Sequence, residues 1–321
     1  MRLSRRTMLL SSASVSSISL LSCASPAPSP SRPSLSELGI YSAGQGSAFL
    51  PYAQGVAQYL SGQGLKTQAL TSAGSIENIR KIDAEKQQLA TVFLGTAHEA
   101  LTGTGAWTQG QKFPNLRALF PMYETSFQIA ALRRSGIDTL QSLRGKKVGV
   151  GPAGGPAESF FKGLLEVTGI NAQIINGTPA ALATDLLSGQ IDALWQGAAL
   201  PIPALKQVTD SAEASVFGLT DEAQAAMLKR FAFLSPASIA ANTYRGQTQA
   251  VKSVAAWNFV MAHAEFPAGD AYWITRQVLS LENPLQIHAS AAPTRMQNAP
   301  FNRVVPFHAG ALRFYKEKGV L

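Results

Sequence analysis

Three segments of the chain repeat one local pattern, in which a short apolar run leads through a Gly/Ser-rich turn into a helix start. They cover residues 38–60, 68–82 and 148–167, and their turns read SAGQGS, TSAG and GPAGG. The apolar runs predict strands, and the three- and four-residue apolar spacing after each turn predicts helices. The first turn of a helix carries N–H groups without intrahelical partners, which suit a small anion or polar group. Three such turns favour a protein that holds a ligand over one that transforms it.

Strands and helices alternate along most of the chain after Leu38. Short apolar runs predict ten strands, with helical patterns between them. The predicted strands cover residues 38–41, 67–70, 89–94, 116–122, 127–132, 147–150, 173–175, 193–196, 215–219 and 255–261. This alternation favours mainly parallel sheets with helices on both faces. Ligands of such α/β folds bind at the carboxyl ends of strands, where the Gly/Ser-rich turns lie.

The composition limits the class of protein. Hydrophobic residues make up 46% of the 321 residues, enough for one large domain or two lobes. The formal charge of +8 includes Arg2, Arg5 and Arg6, and their loss with a signal leaves 24 basic against 19 acidic residues. Because no Lys/Arg cluster with interleaved aromatic residues occurs, nucleic acid is not an expected partner. After the N-terminus no apolar stretch reaches the ~18 residues of a membrane span.

The N-terminus predicts an export signal and a tether. A basic start and a short apolar stretch rich in serine are typical of a secretory signal peptide over residues 1–22. Arg5-Arg6 resembles a twin-arginine (Tat) signal, and a Sec signal that carries two arginines is the alternative. Leu20-Leu21-Ser22-Cys23 resembles a lipoprotein cleavage box, in which Cys23 would be lipidated; ordinary cleavage near Ala24 is the alternative. The Ser/Pro-rich residues 23–37 would then tether a periplasmic protein to its anchor.

Residues for catalysis or metal binding do not form a recognisable pattern. The four histidines stand at no metal-ligand spacing with one another or with Cys23. No G-x-S-x-G elbow and no P-loop occurs. His98-Glu99 could form an acid/base pair, but an exposed helical pair is the simpler interpretation. We therefore predict that the protein is not an enzyme and has no catalytic residue, no metal and no cofactor.

A set of ordered motifs carries a family resemblance. The motifs are SAGQGSAFLPY, TSAGSIEN, GTGAW at 103–107, NLRALFPMYETSFQ at 115–128, SGIDTLQSLRGKKVGVGPAGG at 135–155, GQIDALWQGAALPIPAL at 189–205 and PFHAGALRFYKEKG at 306–319. Through them nearly all of residues 38–319 resembles the TAXI subgroup of TRAP-transporter solute-binding proteins. The chain departs from the family pattern at Gly46-Ser47-Ala48-Phe49 and at FLGTAHEAL. Both departures lie near the expected ligand, so family ligands such as glutamate are not assumed.

The resemblance implies an α/β, two-lobed type II periplasmic-binding-protein fold, in which each lobe is a sheet flanked by helices. Lobe one is expected to comprise residues 38–128 plus 256–321, and lobe two residues 129–255. Two crossovers, near Phe127–Leu132 and Ala255–Phe259, would form the hinge. A ligand in the cleft would favour the closed state, because only that state contacts it from both lobes.

The expected ligand-binding residues come from both lobes. Those of lobe one are Gly46, Ser47, Ala73, Gly74, Ser75, Thr96, Tyr123, Thr125 and Gln128. Those of lobe two are Ala153, Gly154, Gly155, Glu158, Gln196 and Ala198. The glycines could instead serve only tight turns, and Ser75 could be only a helix N-cap. Glu158 lies in a first helical turn, where a carboxylate complements the helix dipole; facing the cleft, it would pair with an amino group.

The implied function is that of an extracytoplasmic receptor. It would capture a small organic solute, a carboxylate or an amino acid, and deliver it to the membrane subunits of a TRAP permease. A receptor for an ABC importer or a sensor kinase is the alternative with the same fold. Arg133 and Arg134 are not assigned to the cleft, because adjacent residues of a strand point to opposite faces.

Overall fold

The computed structural model describes residues 32–44, 47–153 and 155–321. The strands in these ranges are β1 Glu37–Tyr41, β2 Lys66–Leu70, β3 Leu89–Phe93, β4 Leu116–Leu132, β5 Lys147–Gly149, β6 Gln173–Ile175, β7 Ala193–Ala198, β8 Ala214–Phe217, β9 Leu234–Ile239 and β10 Val251–His263. The α-helices are α1 Phe49–Gly62, α2 Ser75–Ala84, α3 Leu94–Thr102, α4 Pro156–Thr168, α5 Pro179–Ser188, α6 Pro203–Ser211, α7 Asp221–Arg230, α8 Ala268–Leu279 and α9 Ala309–Glu317.

The N-terminal predictions fall largely outside the described part of the chain. The signal peptide over residues 1–22 and Cys23 lie outside it, and so do Gly46 and Gly154. The end of the predicted tether is described: the backbone N–H and the hydroxyl of Ser34 both donate to the Asp270 carboxylate, at 2.6 and 2.5 Å. The tether thus meets helix α8 before β1 begins. Across the described ranges no helix has the length and hydropathy to cross a bilayer.

Two long strands organise one curled sheet into two halves. The strand order is β2-β1-β3-β10-β4-β7-β5-β6, with β8 added on β4 and β9 on β10. Strands β4 and β10 pair antiparallel along most of their length. The C-terminal half of β10 pairs with β3, and its N-terminal half pairs with β9. The C-terminal half of β4 pairs with β7 and β8. Both strands therefore run from one half of the sheet into the other, which gives the two-lobed fold.

The sheet is mixed, and the expectation of mainly parallel sheets is wrong. Parallel pairs are confined to β1 with β2 and β3 in one half, and to β5 with β6 and β7 in the other. Every described pairing of β4 or β10 within the named strands is antiparallel. The two strands that connect the halves run against their neighbours, which local alternation of strands and helices does not reveal.

Three other secondary-structure predictions are corrected. Residues 116–122 and 127–132 form one strand, β4, because the partly exposed Glu124 and Thr125 interrupt the apolar pattern without breaking the pairing. Strand β9 was not predicted: it contains the exposed Pro236 and alternates buried and exposed residues, as edge strands do. Arg133 and Arg134 lie in a 3-10 turn after β4, so the argument from strand faces does not apply to them.

The helices cover the sheet with the faces that the apolar spacing predicts. In α1 the side chains of Tyr52, Val56 and Leu60 are fully buried, whereas Tyr59 is half-buried and its hydroxyl donates to the Gln277 carbonyl. Helix α9 begins after His308, whose Nδ1 accepts from the Gly310 N–H at 3.2 Å. These contacts close the half of the sheet that holds β1, β2 and β3.

Candidate functional site

A cleft of about 320 Å³ lies where the two halves of the sheet meet, and we call it the central cleft. The chain up to Thr125, together with β10, contributes Ser47, Ala48, Phe49, Ser75, Phe93, Tyr123, Thr125 and Asn258 to its lining. The rest of the lining consists of Phe127, Pro152, Gly155, Pro156, Ala157, Pro179, Gln196, Gly197, Ala198 and Ala199. A solute in this space would contact both halves.

Four helices begin at the wall of the central cleft. Phe49 is the first residue of α1 and Ser75 the first residue of α2. Pro156 and Pro179 open α4 and α5 from the opposite half. Proline suits this position, because the N–H that it lacks would have no intrahelical partner. The N-terminal turn of a helix carries partial positive charge, so four helix starts at one cleft favour an anion.

The lining of the central cleft carries no Asp, Glu, Lys, Arg or His side chain among the described residues. Its polar side chains are neutral: Ser47, Ser75, Thr125, Gln196 and Asn258, besides the phenol of Tyr123. Burial raises the pKa of the Tyr123 hydroxyl well above its usual range, so this group stays protonated. An anion in the cleft would therefore be held by N–H and O–H dipoles and not by an ion pair.

Gln196 places a buried donor at the cleft. It lies on β7, is 4% exposed, and its Nε2 has no hydrogen-bond partner among the described residues. The β4–β7 register sets it opposite Gln128, which is fully buried. A buried amide without a partner is costly, and a ligand oxygen would remove that cost. Gln196 is thus suited to donate to a bound solute.

Asn258 fixes the floor of the cleft where β4 and β10 cross. Its Nδ2 donates to the Tyr123 carbonyl at 2.9 Å and to the Thr125 Oγ1 at 3.1 Å. The β4–β10 register shifts between Trp257 and Phe259, on either side of this residue. The amide therefore ties the two connecting strands together at the point where they pass between the halves.

Phe127 lines the cleft, and two aromatic rings outside the cleft lining pack against it. Phe127 stacks on Trp195, with ring centroids 5.4 Å apart and an interplanar angle of 13°. Phe127 also meets Phe160 edge-on at 4.9 Å. A Cβ on Gly197 would lie 2.2 Å from the Phe127 ring, so only glycine allows this packing. The walls suit the apolar part of a solute.

Two further pockets adjoin the central cleft. The acidic side pocket, about 460 Å³, shares Phe93, Gly155 and Pro156 with the cleft. Its carboxylates are engaged: Glu99 accepts from the Trp107 Nε1 at 2.8 Å, and Glu158 pairs with the Lys162 Nζ at 2.8 Å. The apolar side pocket, about 650 Å³, lies on another side and is lined mainly by residues 178–180, 196–204 and 288–290.

The structure gathers part of the predicted site at the central cleft. The predicted residues in its lining are Ser47, Ser75, Tyr123, Thr125, Gly155, Gln196 and Ala198. Thr96 and Glu158 line the acidic side pocket instead, and Gln128 lies buried beside Gln196. Ala73, Gly74 and Ala153 lie in the turns without lining the cleft. Gly46 and Gly154 lie outside the described residues.

Contacts also decide whether Ser75 is a helix N-cap and whether Glu158 faces the central cleft. Gly74, and not Ser75, is the N-cap of α2, and the Ser75 Oγ accepts from the Phe93 N–H. The capping acid of this helix is Glu77, which accepts from the Ala73 N–H at 2.8 Å. Glu158 is buried in the first turn of α4 and ion-paired, so its carboxylate does not line the central cleft.

Sequence reasoning missed the aromatic and proline lining and Asn258. A polar residue inside the apolar strand pattern WNFVMAH was the available signal for Asn258. Prolines directly after a Gly or Thr turn marked the starts of α4 and α5. Within the described ranges no group of three or more His, Cys, Asp or Glu side chains is placed to hold a metal ion.

A curled sheet in two halves, helices on its faces and a cleft between the halves define the two-lobed periplasmic-binding-protein fold. The chain belongs to the NMT1-like family, whose model matches residues 40–319.

Solved structures share this fold at low sequence identity. A TctC solute-binding protein from Polaromonas has 12% identity and a TM-score of 0.54, over 88% of this chain and 96% of that chain. MatC from Rhodopseudomonas palustris with bound malate has 13% identity and a TM-score of 0.51, over 88% and 96%. Another R. palustris protein, with adipate, has 13% identity and a TM-score of 0.51, over 84% and 98%. These likenesses establish the fold.

Proposed function

We propose that the protein is an extracytoplasmic solute-binding receptor whose cargo is a small organic acid. The observation that carries the proposal is the convergence of four helix starts on a cleft whose described lining has no charged side chain. The partial positive charge of helix N-termini stabilises a carboxylate and would repel an ammonium group. The two R. palustris structures were solved with malate and adipate, which supports a carboxylate cargo.

The connecting strands support a hinge mechanism. We assign lobe one to residues 38–128 plus 256–321 and lobe two to residues 129–255, because β4 and β10 change partners near these limits. A solute held by α1 and α2 on one side and by α4 and α5 on the other gains contacts only when the lobes close. Binding would therefore favour the closed receptor, and no chemical step is required.

The partner and the location are parts of the same proposal. The TAXI-like motifs support delivery to the membrane subunits of a TRAP permease. The residues 1–22 pattern supports export to the periplasm, and Cys23 is the proposed lipid anchor. Release of the protein from the membrane fraction by Cys23→Ser, with export unchanged, would support the anchor. An unchanged membrane fraction would refute it.

Thermal unfolding of the full chain tests the receptor. We expect butanoate, malate, adipate and glutamate to include at least one compound that raises the midpoint. At a ligand concentration of about 100 times Kd, the native state gains about 2.7 kcal/mol, or several degrees. Putrescine, a chain of similar length with ammonium ends, is the matched control and should cause no shift. If protein refolded to remove retained ligand responds to none of the acids, or responds to putrescine alone, the proposal is wrong.

A further inference from the structure

The apolar side pocket opens directly from the central cleft. The two spaces share Ala48, Pro179 and the run Gln196–Ala199. The pocket continues past them along residues 200–204, which lead from β7 into α6, and residues 288–290 line it from the other lobe. Its volume of about 650 Å³ is twice that of the cleft. A solute held at the helix starts can therefore extend into it without leaving the interlobe space.

The chemistry of this pocket differs from that of the cleft. Within the described residues its lining has no Asp, Glu, Lys or Arg side chain, and Ala, Pro, Leu and Ile dominate it. Two of its polar side chains have partners within the chain: the His288 Nδ1 lies 2.8 Å from the Ser290 Oγ, and the Gln207 Nε2 donates to the Thr184 Oγ1. A second carboxylate would therefore meet no Lys or Arg side chain among the described lining residues.

An apolar group of a ligand that covers Leu200 would add to the free energy of binding in this pocket. It is 38% exposed and is among the few large apolar side chains of the described residues that face solvent. The neighbouring Pro201 and Pro203 are also exposed. Apolar surface left in water next to a ligand cleft is stabilised when an apolar group covers it.

We propose that the solute is amphipathic: a monocarboxylate whose carboxylate lies at the helix starts and whose unbranched apolar tail occupies the apolar side pocket. This inference rests on the proposed function and narrows it to one class of acid. A dicarboxylate of the same length would place its second charge against Leu200 and the prolines, where no described Lys or Arg side chain compensates it. The tail, like the carboxylate, would contact both lobes. The tail would therefore add to the free energy that favours the closed state.

Calorimetric titration of the full chain with butanoate, hexanoate and octanoate tests the inference. Each methylene that leaves water contributes about 0.8 kcal/mol, which is about a fourfold gain in affinity. We expect octanoate to bind on the order of 100-fold more tightly than butanoate. Suberate, the dicarboxylate of the same length, should bind more weakly than octanoate. Equal affinity along the series, or tighter binding of suberate, would overturn the inference while the receptor itself stands.

A variant pair locates the tail. Leu200→Glu places a carboxylate in the apolar side pocket at an exposed position, where folding should tolerate it. We expect it to lower the octanoate-to-butanoate affinity ratio at least tenfold. Leu285→Glu is the matched control, because Leu285 is 51% exposed and lies outside the pocket lining. If the affinity of Leu200→Glu still rises with chain length as in the native chain, the tail lies elsewhere and the assignment is overturned. If none of the acids, suberate included, binds to the native chain, the proposed function fails together with the inference.

Discussion

Among single residues, Gln196 and Asn258 have different roles in the central cleft. Both described side-chain hydrogen bonds of Asn258 go to β4, so this residue stabilises the floor of the cleft. The Nε2 of Gln196 has no partner among the described residues, so it is available to a ligand. The family resemblance pointed to Gln196. Asn258 was missed, because in the sequence each of the two is simply a polar residue in an apolar strand.

Gln196→Ala should weaken binding of the best acid from the panel about 10- to 100-fold, the range for a hydrogen bond to a charged group. Because the Gln196 side chain is buried, its truncation also leaves a space in the fold, and the unfolding midpoint without ligand should fall by a few degrees. Calorimetric titration measures the first effect and thermal unfolding the second. Gln190→Ala, at an exposed position of the same half, is the control and should bind like the native chain. Equal affinities of the two variants would contradict the assignment.

At the scale of elements, close contacts between helices decide where small residues are required. Gly310 lies in the first turn of α9, and a Cβ there would lie 2.1 Å from the Ala268 carbonyl of α8. Gly62 ends α1, and a Cβ there would meet nothing within 4 Å. The two glycines look alike in the sequence, because each belongs to a helix with an apolar stripe. Only the packing of α8 on α9 separates them.

Gly310→Ala should lower the free energy of unfolding by about 1–3 kcal/mol, since the backbone of α8 must shift to make room. Gly62→Ala should leave it unchanged or raise it by up to about 1 kcal/mol, because alanine loses less backbone entropy in a helix. Urea unfolding of both variants measures the difference. A Gly310→Ala protein as stable as Gly62→Ala would show that the α8–α9 contact is looser than described.

At the scale of the whole molecule, the tyrosines report how the core responds to alkaline pH. Burial raises the pKa of Tyr41 and of Tyr244 to about 12, and hydrogen bonding to Glu85 adds to the effect at Tyr41. The pKa values of Tyr52, Tyr123 and Tyr315 are raised further in the same direction by burial. In the unfolded chain these phenols are exposed to water and ionise with the ordinary tyrosine pKa of about 10.

Stability should therefore be intact below about pH 10 and fall as pH rises towards 12, because only the unfolded state releases these protons in that window. Urea unfolding at neutral pH and at about pH 11 measures the loss. Tyr244→Phe should reduce the pH dependence whatever its effect at neutral pH. An unchanged dependence in this variant would show that the Tyr244 phenol ionises equally well in the folded state.

Local features of the fold follow from short-range patterns in the sequence. Apolar period, turn residues and helix starts depend on neighbours a few positions away, so the strands β1, β2, β3 and β6 and the buried stripe of α1 could be read from it. The family motifs added the two-lobed fold, which the structure confirms.

The mixed sheet, the edge strand β9 and the composition of the cleft could be seen only in the three-dimensional structure. Those features depend on contacts between residues far apart in the chain. The Asn258 amide donates to the Tyr123 carbonyl across 135 positions, and Ala48 and Pro179 both line the central cleft and the apolar side pocket. A cleft lined by neutral dipoles and an apolar pocket beside it arise when two lobes are brought together by β4 and β10. Local sequence patterns carry no record of which side chains then face one another.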